Sequence, residues 1–450
     1  MEVKIPENIV IIDNTEYSVD YLEGIHPGGD LFVKAFAGRD ASEAFLSYHR
    51  RPFPHQKYGQ NSTSLPDCNT GFASQNLVLN GDFVPQHRLK GDARLRAFQA
   101  LRPVHKVNLQ KILQNSDYLE LCDIVNNVLP IHKSFAPPSY YIKLLIILSF
   151  MFGLEFYIHY TQQYVWYLTA PLGLFIAWTG LNIQHDANHG AISRHFMVNR
   201  ILGLTQSWIG GSACIWIHQH VVQHHIFCND VIRDPDMEGS ILIKFNPNAP
   251  EAHQYLYQHI YFLGAIALYG FTVVKDSVYG LMSGVYFTPI SPYLNLHMNL
   301  DLVFSAIFLV RWVALPLYLA PSTNTLMSIG IMYAVAGYYL SFFFMLSHNF
   351  AETVHYSPNS KESFLYKQVT SSSNVGGPWL CWFNGGLNYQ IEHHLFPRMH
   401  HSHYPKIAPL VREFCAGKGI PYKHFNTIYE NVVSTSQYLY NVARTTGIKK

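Results

Sequence analysis

Charged residues are scarce in this sequence. Asp, Glu, Lys and Arg make up 13% of its 450 residues, whereas a soluble protein usually has about 25%. Hydrophobic residues reach 49% and aromatic residues 15%, so the composition favours a protein that crosses a membrane several times over a soluble enzyme. The formal net charge is only +2, which gives no support to a nucleic acid as a partner.

Paired cysteines and an apolar leader are missing as well. The six cysteines are scattered and form no CxxC pair, which argues against both a disulfide framework and a zinc ribbon. The first residues, Met-Glu-Val-Lys-Ile-Pro-Glu, do not contain the apolar run of a signal peptide. We therefore expect the amino-terminal region to lie in the cytosol.

Long apolar runs are present in four places. Each has about 20 mostly apolar residues, the length that a transmembrane helix needs, and the four runs are 140–158, 164–182, 301–320 and 325–347. The short loops inside each pair lack Lys and Arg, and the basic residues fall on the other side. The positive-inside rule then predicts two helical hairpins, with both termini and residues 183–300 in the cytosol.

Two features fit this topology less simply. The apolar stretch 260–274 is short, and we expect it to lie on the membrane or in the cytosolic cap. Arg311 falls inside the third apolar run, where a charge is costly. Either Arg311 pairs with another group of the protein, or this run has other boundaries.

Three histidine clusters follow the apolar runs or lie between them. They comprise His185 and His189, then His220, His224 and His225, and finally Gln390, His393 and His394. Residues four apart lie on one face of a helix, so each cluster directs imidazoles at one point, with His225 turned by about 100° from its neighbour. Neutral imidazole binds iron, zinc and copper, and one tetrahedral zinc would need fewer ligands. The topology places all three clusters on one membrane face, where they predict a site for two metals.

Residues beside the clusters are candidates for the same site. His348, at the end of the fourth apolar run, is a further candidate ligand. Gln390 would coordinate weakly or hydrogen-bond a water on the metal. Asp186, Asn188 and Asn349 are predicted to orient the ligand rings, as polar neighbours of metal ligands commonly do.

Other histidines are expected outside the metal site. His218 is predicted to be structural or to orient a ligand. His400, His401 and His403 follow a proline in an irregular segment, so we expect them at the surface. A zinc protease with an HExxH helix is disfavoured, because Asp186 replaces the glutamate that acts as base and two further histidine clusters would have no role.

The amino-terminal region carries a separate pair of histidines. A His26-Pro-Gly-Gly turn is followed by Asp40-Ala-Ser and by His49. Two axial imidazoles leave no open position on a haem iron, so such a haem transfers electrons and does not bind oxygen. The pattern resembles cytochrome b5 over roughly residues 8–80, and this resemblance implies haem b with His26 and His49 as axial ligands. The alternative is a turn residue and a surface residue without any haem.

The clusters and the haem-binding pattern together resemble the cytochrome b5-fused front-end fatty acyl desaturases. The matching phrases are GLNIQHDANHG from Gly180 and GGLNYQIEHHLFP from Gly385, with Gln390 opening the third cluster. The resemblance implies a non-haem di-iron centre, O2 as co-substrate and an apolar tunnel for a polyunsaturated fatty acyl chain carried by CoA or a phospholipid. It also implies NADH-cytochrome b5 reductase as the electron donor and residence in the endoplasmic reticulum membrane.

The predicted fold is mostly α-helical. Residues 1–80 would form a small α+β cytochrome b5-like domain, and residues 81–138 a linker with amphipathic helices. Residues 139–450 would form the desaturase domain, with four transmembrane helices below a cytosolic, histidine-rich cap.

The reaction that the resemblance implies is insertion of a cis double bond between an existing double bond and the carboxyl end. The HVVxHH form of the second cluster favours a Δ5 desaturase of C20 chains, with Δ6 and Δ4 desaturases as alternatives. A sphingolipid long-chain-base Δ8 desaturase and a membrane hydroxylase share the motifs. A non-catalytic transmembrane haem electron carrier would need paired histidines inside the spans, which offer only His159 and His348 near their ends.

Overall fold

The computed structural model describes residues 5–54, 62–64 and 115–445. Residues 1–4, 55–61 and 65–80 of the predicted haem domain and residues 81–114 of the predicted linker therefore lie outside the described residues. Helices predominate in the described part, in agreement with the predicted fold class.

The amino-terminal segment combines a small sheet with short helices. The strands β1 (Ile9–Ile12), β2 (Thr15–Ser18), β3 (Arg39–Asp40) and β4 (Ser62–Ser64) lie in the order β3-β1-β2-β4. β1 is parallel to β3, and the other neighbours are antiparallel. Asp13 and Asn14 join β1 to β2 with positive φ angles of 48° and 68°, a conformation that short polar residues tolerate. The helices are Val19–Leu22, Leu31–Ala35 and Ser42–His49.

The remainder of the described chain is built almost entirely from helices. The α-helices are Ser116–Val128, Pro138–Thr161, Trp166–Thr179, His185–Asn188, Phe196–Gly203, Thr205–Trp208, Ala213–Trp216, His225–Phe227, Gln258–Ala265, Tyr269–Ser283, Asn295–Leu309, Leu315–Leu319, Thr323–His348, Phe364–Thr370, Pro378–Asn384, Gln390–Leu395, Tyr404–Gly417 and Ile428–Ala443. Tighter 3-10 turns cover Ile131–Lys133, Pro235–Glu238, His253–Tyr257, Ile266–Leu268, Pro292–Leu294 and His401–His403. Wider π-helical turns cover Gly180–Gln184, Ile217–His224 and Val310–Ala314. Two small sheets pair β5 (Val285–Tyr286) with β6 (Thr288–Pro289) and β7 (Ser373–Val375) with β8 (Lys423–Phe425).

Four helices of the described chain are long and apolar enough to cross a membrane. By length and composition these are Pro138–Thr161, His253–Ser283, Pro292–Leu319 and Thr323–His348. Three of them coincide with predicted spans. The remaining predicted span, 164–182, is the helix Trp166–Thr179, which continues without a break through residue 188 and packs along its neighbours. Its polar carboxyl-terminal turn lowers its average hydropathy.

The helix His253–Ser283 extends the predicted stretch 260–274 at both ends. Near its start, Phe262 packs in one buried cluster with Met345, at the histidine-bearing end of the last long helix. Near its end, a methyl group on Gly280 would lie 2.7 Å from the side chain of Ile215, which precedes the second histidine cluster. Both ends of this helix therefore contact the side of the bundle that carries the histidines.

The helix Thr323–His348 is the centre of the bundle, and glycines let its neighbours approach it closely. A methyl group on Gly173 would lie 2.4 Å from the carbonyl oxygen of Met332. One on Gly337 would lie 2.2 Å from the amide nitrogen of Gly270. Small residues at such crossings allow backbone-to-backbone packing. This packing stabilises helix association in a membrane, where the hydrophobic effect does not drive helices together.

Arg311 pairs with a carboxylate inside the bundle, which is the first of the two alternatives that the sequence left open. Its Nε donates a hydrogen bond to a carboxylate oxygen of Glu155 at 2.7 Å. Its Nη1 donates to the carbonyl oxygen of Trp208 at 3.2 Å, and the guanidinium lies over the Trp208 ring at 3.7 Å. A buried charge is tolerated when it is paired and hydrogen-bonded in this way.

Candidate metal centre

The first two histidine clusters are carried by helices that contain π-helical turns. Gly180–Gln184 immediately precedes His185, and Ile217–His224 contains most of the second cluster. A π-turn bonds residues five apart, so it brings residues i and i+5 onto one face. His225 Nε2 accordingly lies 3.1 Å from His220 Nε2. The predicted turn of about 100° between His225 and its neighbour assumed α-helical geometry, and the π-turn brings His225, a predicted ligand, beside His220.

Four histidines from all three sequence clusters form the first spatial group. One ring nitrogen from each of His185, His189, His220 and His393 lies within 4.8 Å of the others. His225 joins this group, since its Nε2 lies 3.0 Å from His393 Nε2. All of these side chains are buried. The expectation that the three clusters meet is confirmed.

A second group lies beside the first and includes His348. One ligand atom from each of His224, Cys228, His348 and His394 lies within 4.8 Å of the others. The Gln390 amide nitrogen lies 2.9 Å from His348 Nε2, so the predicted His348 and Gln390 positions come together here.

Cys228 is the one member of this group that the sequence did not single out. Its Sγ lies 3.5 Å from His348 Nδ1. That nitrogen is already 2.9 Å from the carbonyl oxygen of Ser371, to which it donates. The thiol therefore lies at the Nδ1 edge of the His348 ring. The Gln390 amide lies at the opposite, Nε2 edge, which is the edge available to a metal.

Partners behind the rings hold many of these histidines through Nδ1. His189 is held by the Tyr48 hydroxyl at 2.7 Å, His393 by the Tyr404 hydroxyl at 3.2 Å, His394 by the Gln368 amide oxygen at 2.8 Å and His224 by Asp234 at 3.1 Å. Such partners fix the tautomer and orientation of a metal ligand. They leave Nε2 as the nitrogen for a metal.

The open nitrogens fit a metal. Nε2 of His189, His224 and His394 has no hydrogen-bond partner among the described residues, and neither ring nitrogen of His185 has one. Buried polar atoms nearly always have partners in folded proteins. These convergent, buried imidazole nitrogens therefore form a donor set that suits a metal such as iron.

The electrostatics of the two groups differ. Burial lowers the pKa of His225 and His393 well below the ordinary value, which keeps these rings neutral, as metal ligands must be. Burial would lower the pKa of His224 too, but Asp234 and Asp236 beside its Nδ1 raise that pKa to about 10. The two carboxylates thus hold a proton on Nδ1, and a metal would replace the proton on Nε2.

Asp186 belongs to a third buried group. Its carboxylate lies 2.5 Å from His401 Nδ1 and 3.3 Å from His400 Nε2, but 4.0 Å from His185 Nδ1. The expected surface position of the His400 region was wrong for two of its histidines, because His400 and His401 are 0% and 3% exposed. Asp186 and the ring of Tyr140, 4.3 Å from His400 between centroids, supply the contacts that bury them.

The remaining predicted residues lie near the site but bond elsewhere. Asn188 donates to the side chain of Gln184 at 2.9 Å, and Asn349 donates to its own helix at Met345. His218 bonds to Thr288 of β6 at 3.0–3.1 Å, which fits the structural role predicted for it. His403 is half-buried and bonds to the carbonyl oxygen of Phe135 at 2.8 Å.

A cavity opens from the first histidine group into the helical bundle. It has a volume of about 140 Å³ and is lined at one end by His185 and His220. Apolar residues of the long helices, among them Ile176, Met332 and Ala336, line the part inside the bundle. An apolar cavity that reaches a cluster of metal-ligand residues is suited to an aliphatic chain.

The two amino-terminal histidines also face each other. The ring centroids of His26 and His49 lie 5.9 Å apart. His26 Nδ1 bonds to the carbonyl oxygen of Gly29 at 2.7 Å, and His49 Nδ1 to that of Phe45 at 3.0 Å. These bonds fix the two tautomers and leave each Nε2 for another partner.

Comparison with known proteins gives the following likenesses. The family model described as fatty acid desaturase matches residues 162–426. The chain is 36% identical to an acyl-lipid (7-3)-desaturase of Rebecca salina, over 97% of this chain and 91% of that protein. It is 36% identical to an acyl-lipid (7-3)-desaturase of Diacronema lutheri, with 98% and 92% covered. It is 26% identical to acyl-lipid (8-3)-desaturase B of Dictyostelium discoideum, with 96% and 90% covered.

Proposed function

Because this chain belongs to the fatty acid desaturase family, we propose that it is a front-end desaturase of polyunsaturated acyl chains. Family membership makes it an oxygen-dependent oxidoreductase and implies a non-haem di-iron centre. The observation that carries the proposal is the pair of buried histidine groups with open nitrogens at the end of an apolar cavity.

The chemistry explains why a metal site is needed. A methylene C–H bond in mid-chain has no acidic proton, so side-chain acids and bases cannot open it, and the iron pair supplies the oxidising power that O2 provides. In the overall reaction the chain loses two vicinal hydrogens, and O2 takes up these, two further electrons and two protons to leave two waters. The protein holds the acyl chain in the cavity and keeps water away from the site.

We assign the ligand roles by geometry. His185, His189, His220, His225 and His393 would hold one metal, and His224, His348 and His394 the other, with Gln390 beside His348. Asp186, which His401 holds and which lies 4.0 Å from His185 Nδ1, would orient the His185 ring. Asn188 and Asn349 would support the backbone that carries the ligands.

The amino-terminal segment would supply the electrons. We propose that His26 and His49 hold haem b and that NADH-cytochrome b5 reductase reduces it. A haem domain on the same chain raises the effective concentration of donor at the metal site without a new binding surface. The predicted topology of two helical hairpins would place both termini in the cytosol, at the endoplasmic reticulum membrane.

The position of the new double bond has two candidates. The relatives at 36% identity carry the name (7-3), which as carbon numbers puts a new bond at carbon 4, three ahead of one at carbon 7. Their names favour a Δ4 desaturase and an acyl-lipid carrier, and 22:5 n-3 is a chain whose first double bond is at carbon 7. The second candidate is the Δ5 desaturase of C20 chains, which the HVVxHH form of the second histidine cluster favours.

Expression in a yeast that lacks polyunsaturated lipids tests the proposal. The cells receive 22:5 n-3, 20:3 n-6, 18:2 n-6 or 18:3 n-3 in separate cultures, and gas chromatography–mass spectrometry identifies the products. We expect 22:6 from the 22:5 feed; 20:4 from the 20:3 feed would select Δ5, and a C18 product Δ6.

The inactive control is His393→Ala. A product with added oxygen would indicate a hydroxylase, and a new double bond in the long-chain bases would indicate a sphingolipid desaturase. If no lipid changes in cells that contain folded, iron-loaded protein, the proposal fails, and haem without non-haem iron would favour an electron carrier.

A further inference from the structure

The amino-terminal segment packs directly on the histidine-rich cap. Tyr17 and Ala44 belong to the same buried hydrophobic cluster as Ile217 and Val221 of the second histidine helix. Arg39 of β3 donates a hydrogen bond to the carbonyl oxygen of Pro289 at 2.8 Å. The segment that carries the proposed haem ligands is therefore part of the wall around the metal site.

One hydrogen bond connects this segment to a proposed metal ligand. The Tyr48 hydroxyl lies 2.7 Å from Nδ1 of His189. Both side chains are buried, at 8% and 0% exposure, so the bond is not exchanged with water. Tyr48 is also the residue immediately before His49.

The direction of the bond follows from the role of His189. Its Nε2 is the open nitrogen that faces the other histidines, so Nδ1 carries the hydrogen and donates a hydrogen bond to the Tyr48 oxygen. A partner of this kind holds the ring in place and tunes the basicity of the ligand.

We propose that Tyr48 is the positioning residue that couples the haem segment to the metal site, acting through His189 and carrying electrons from His49 to that ligand. The inference rests on the proposed function. The route runs from His49 through the two side chains and the peptide bond that join it to Tyr48, and then through one hydrogen bond to His189. Each passage oxidises the haem by one electron and reduces the non-haem site by one, and two passages provide the two electrons that each double bond needs.

Tyr48→Phe tests the proposal, because it removes the hydroxyl and keeps the ring. Tyr21→Phe is the matched control: it removes a hydroxyl from the same segment, and Tyr21 packs beside the same hydrophobic cluster. Full-length proteins are loaded with excess iron and analysed for haem and non-haem iron. The haem is then reduced without oxygen, and the protein is mixed with O2 and vesicles of a phospholipid that carries 22:5 n-3.

The readout is the part of haem reoxidation that depends on the acyl substrate, followed by the haem absorbance. We expect Tyr48→Phe to slow it by about tenfold or more, with haem and iron contents as in the wild type, and Tyr21→Phe to leave the rate unchanged. A wild-type rate in Tyr48→Phe would overturn the inference. Loss of iron from this variant would overturn it too, since the hydroxyl would then only retain the metal.

These outcomes are separate from a failure of the proposed function. A wild-type protein that binds no non-haem iron would remove the proposed function itself, and one that binds no haem would remove the proposed electron donor. A wild-type protein that contains both and forms product, with an unaffected Tyr48→Phe variant, would remove only the coupling through Tyr48.

Discussion

Gln368 makes a sharp test of how the second histidine group is held. It lies on the helix Phe364–Thr370, 1% exposed. Its amide oxygen accepts from His394 Nδ1 at 2.8 Å, and its amide nitrogen donates to the carbonyl oxygen of His225 at 2.9 Å. One side chain thus fixes a proposed ligand of each metal position, one through its ring and one through its backbone.

The substitution Gln368→Leu keeps much of the volume and removes both bonds. It leaves two buried groups without partners, the His394 N–H and the His225 carbonyl, and each such group costs about 1–3 kcal/mol. The free energy of unfolding should therefore fall by about 2–6 kcal/mol. Because the His394 ring is no longer held in one tautomer, iron affinity should fall by about 10–100-fold.

Gln258→Leu is the matched control. Gln258 is also buried, at 0% exposure, and its amide nitrogen donates to the carbonyl oxygens of Lys244 and Leu439, away from the proposed ligands. Iron titration of the apoprotein, with thermal unfolding in detergent, separates the two effects. Both variants should lose stability, but only Gln368→Leu should lose iron affinity. Equal iron affinities in the two variants would refute the role of Gln368.

Three further substitutions test other parts of the structure. Glu155→Gln leaves a guanidinium inside the bundle without its carboxylate and should cost about 3 kcal/mol of stability, measured by thermal unfolding; an unchanged midpoint would contradict the buried pair. His401→Ala removes the hydrogen bond to Asp186 and should cost about 1–3 kcal/mol in the same assay, whereas a surface histidine would cost nothing. Gly337→Leu should prevent the close helix crossing and abolish the yield of folded protein, while Gly330→Leu on the same helix, where a methyl group meets nothing within 4 Å, should fold; equal yields would refute the crossing.

Sequence spacing was enough to find the ligand candidates. Histidines four apart after an apolar run can be recognised without any structure, and His348 and Gln390 were found through their places at a helix end and in the third cluster. The spacing could not assign each ring to a metal position. That assignment depends on the π-turn Ile217–His224, which adds a residue to the turn and brings His225 back to His220.

The residues that hold the ligand rings could not be predicted from the sequence, because they are distant from the ligands along the chain. Gln368 lies 26 residues before His394, and Tyr48 lies 141 residues before His189. The His400 region was misplaced for the same reason, since its buried partner Asp186 is 215 residues away. Asp234 was the exception: it lies only ten residues after His224, and an acidic pair so close to a histidine cluster was a signal that could have been used.

The metal content of the purified, full-length protein tests the central claim most directly. Total iron is measured after loading with ferrous iron, and haem iron, determined from its absorbance, is subtracted. The two histidine groups predict two non-haem irons per chain, as in other paired-metal sites, and His348→Ala should reduce this number by about one. One non-haem iron or none in the wild-type protein, under conditions in which it is folded, would contradict the account.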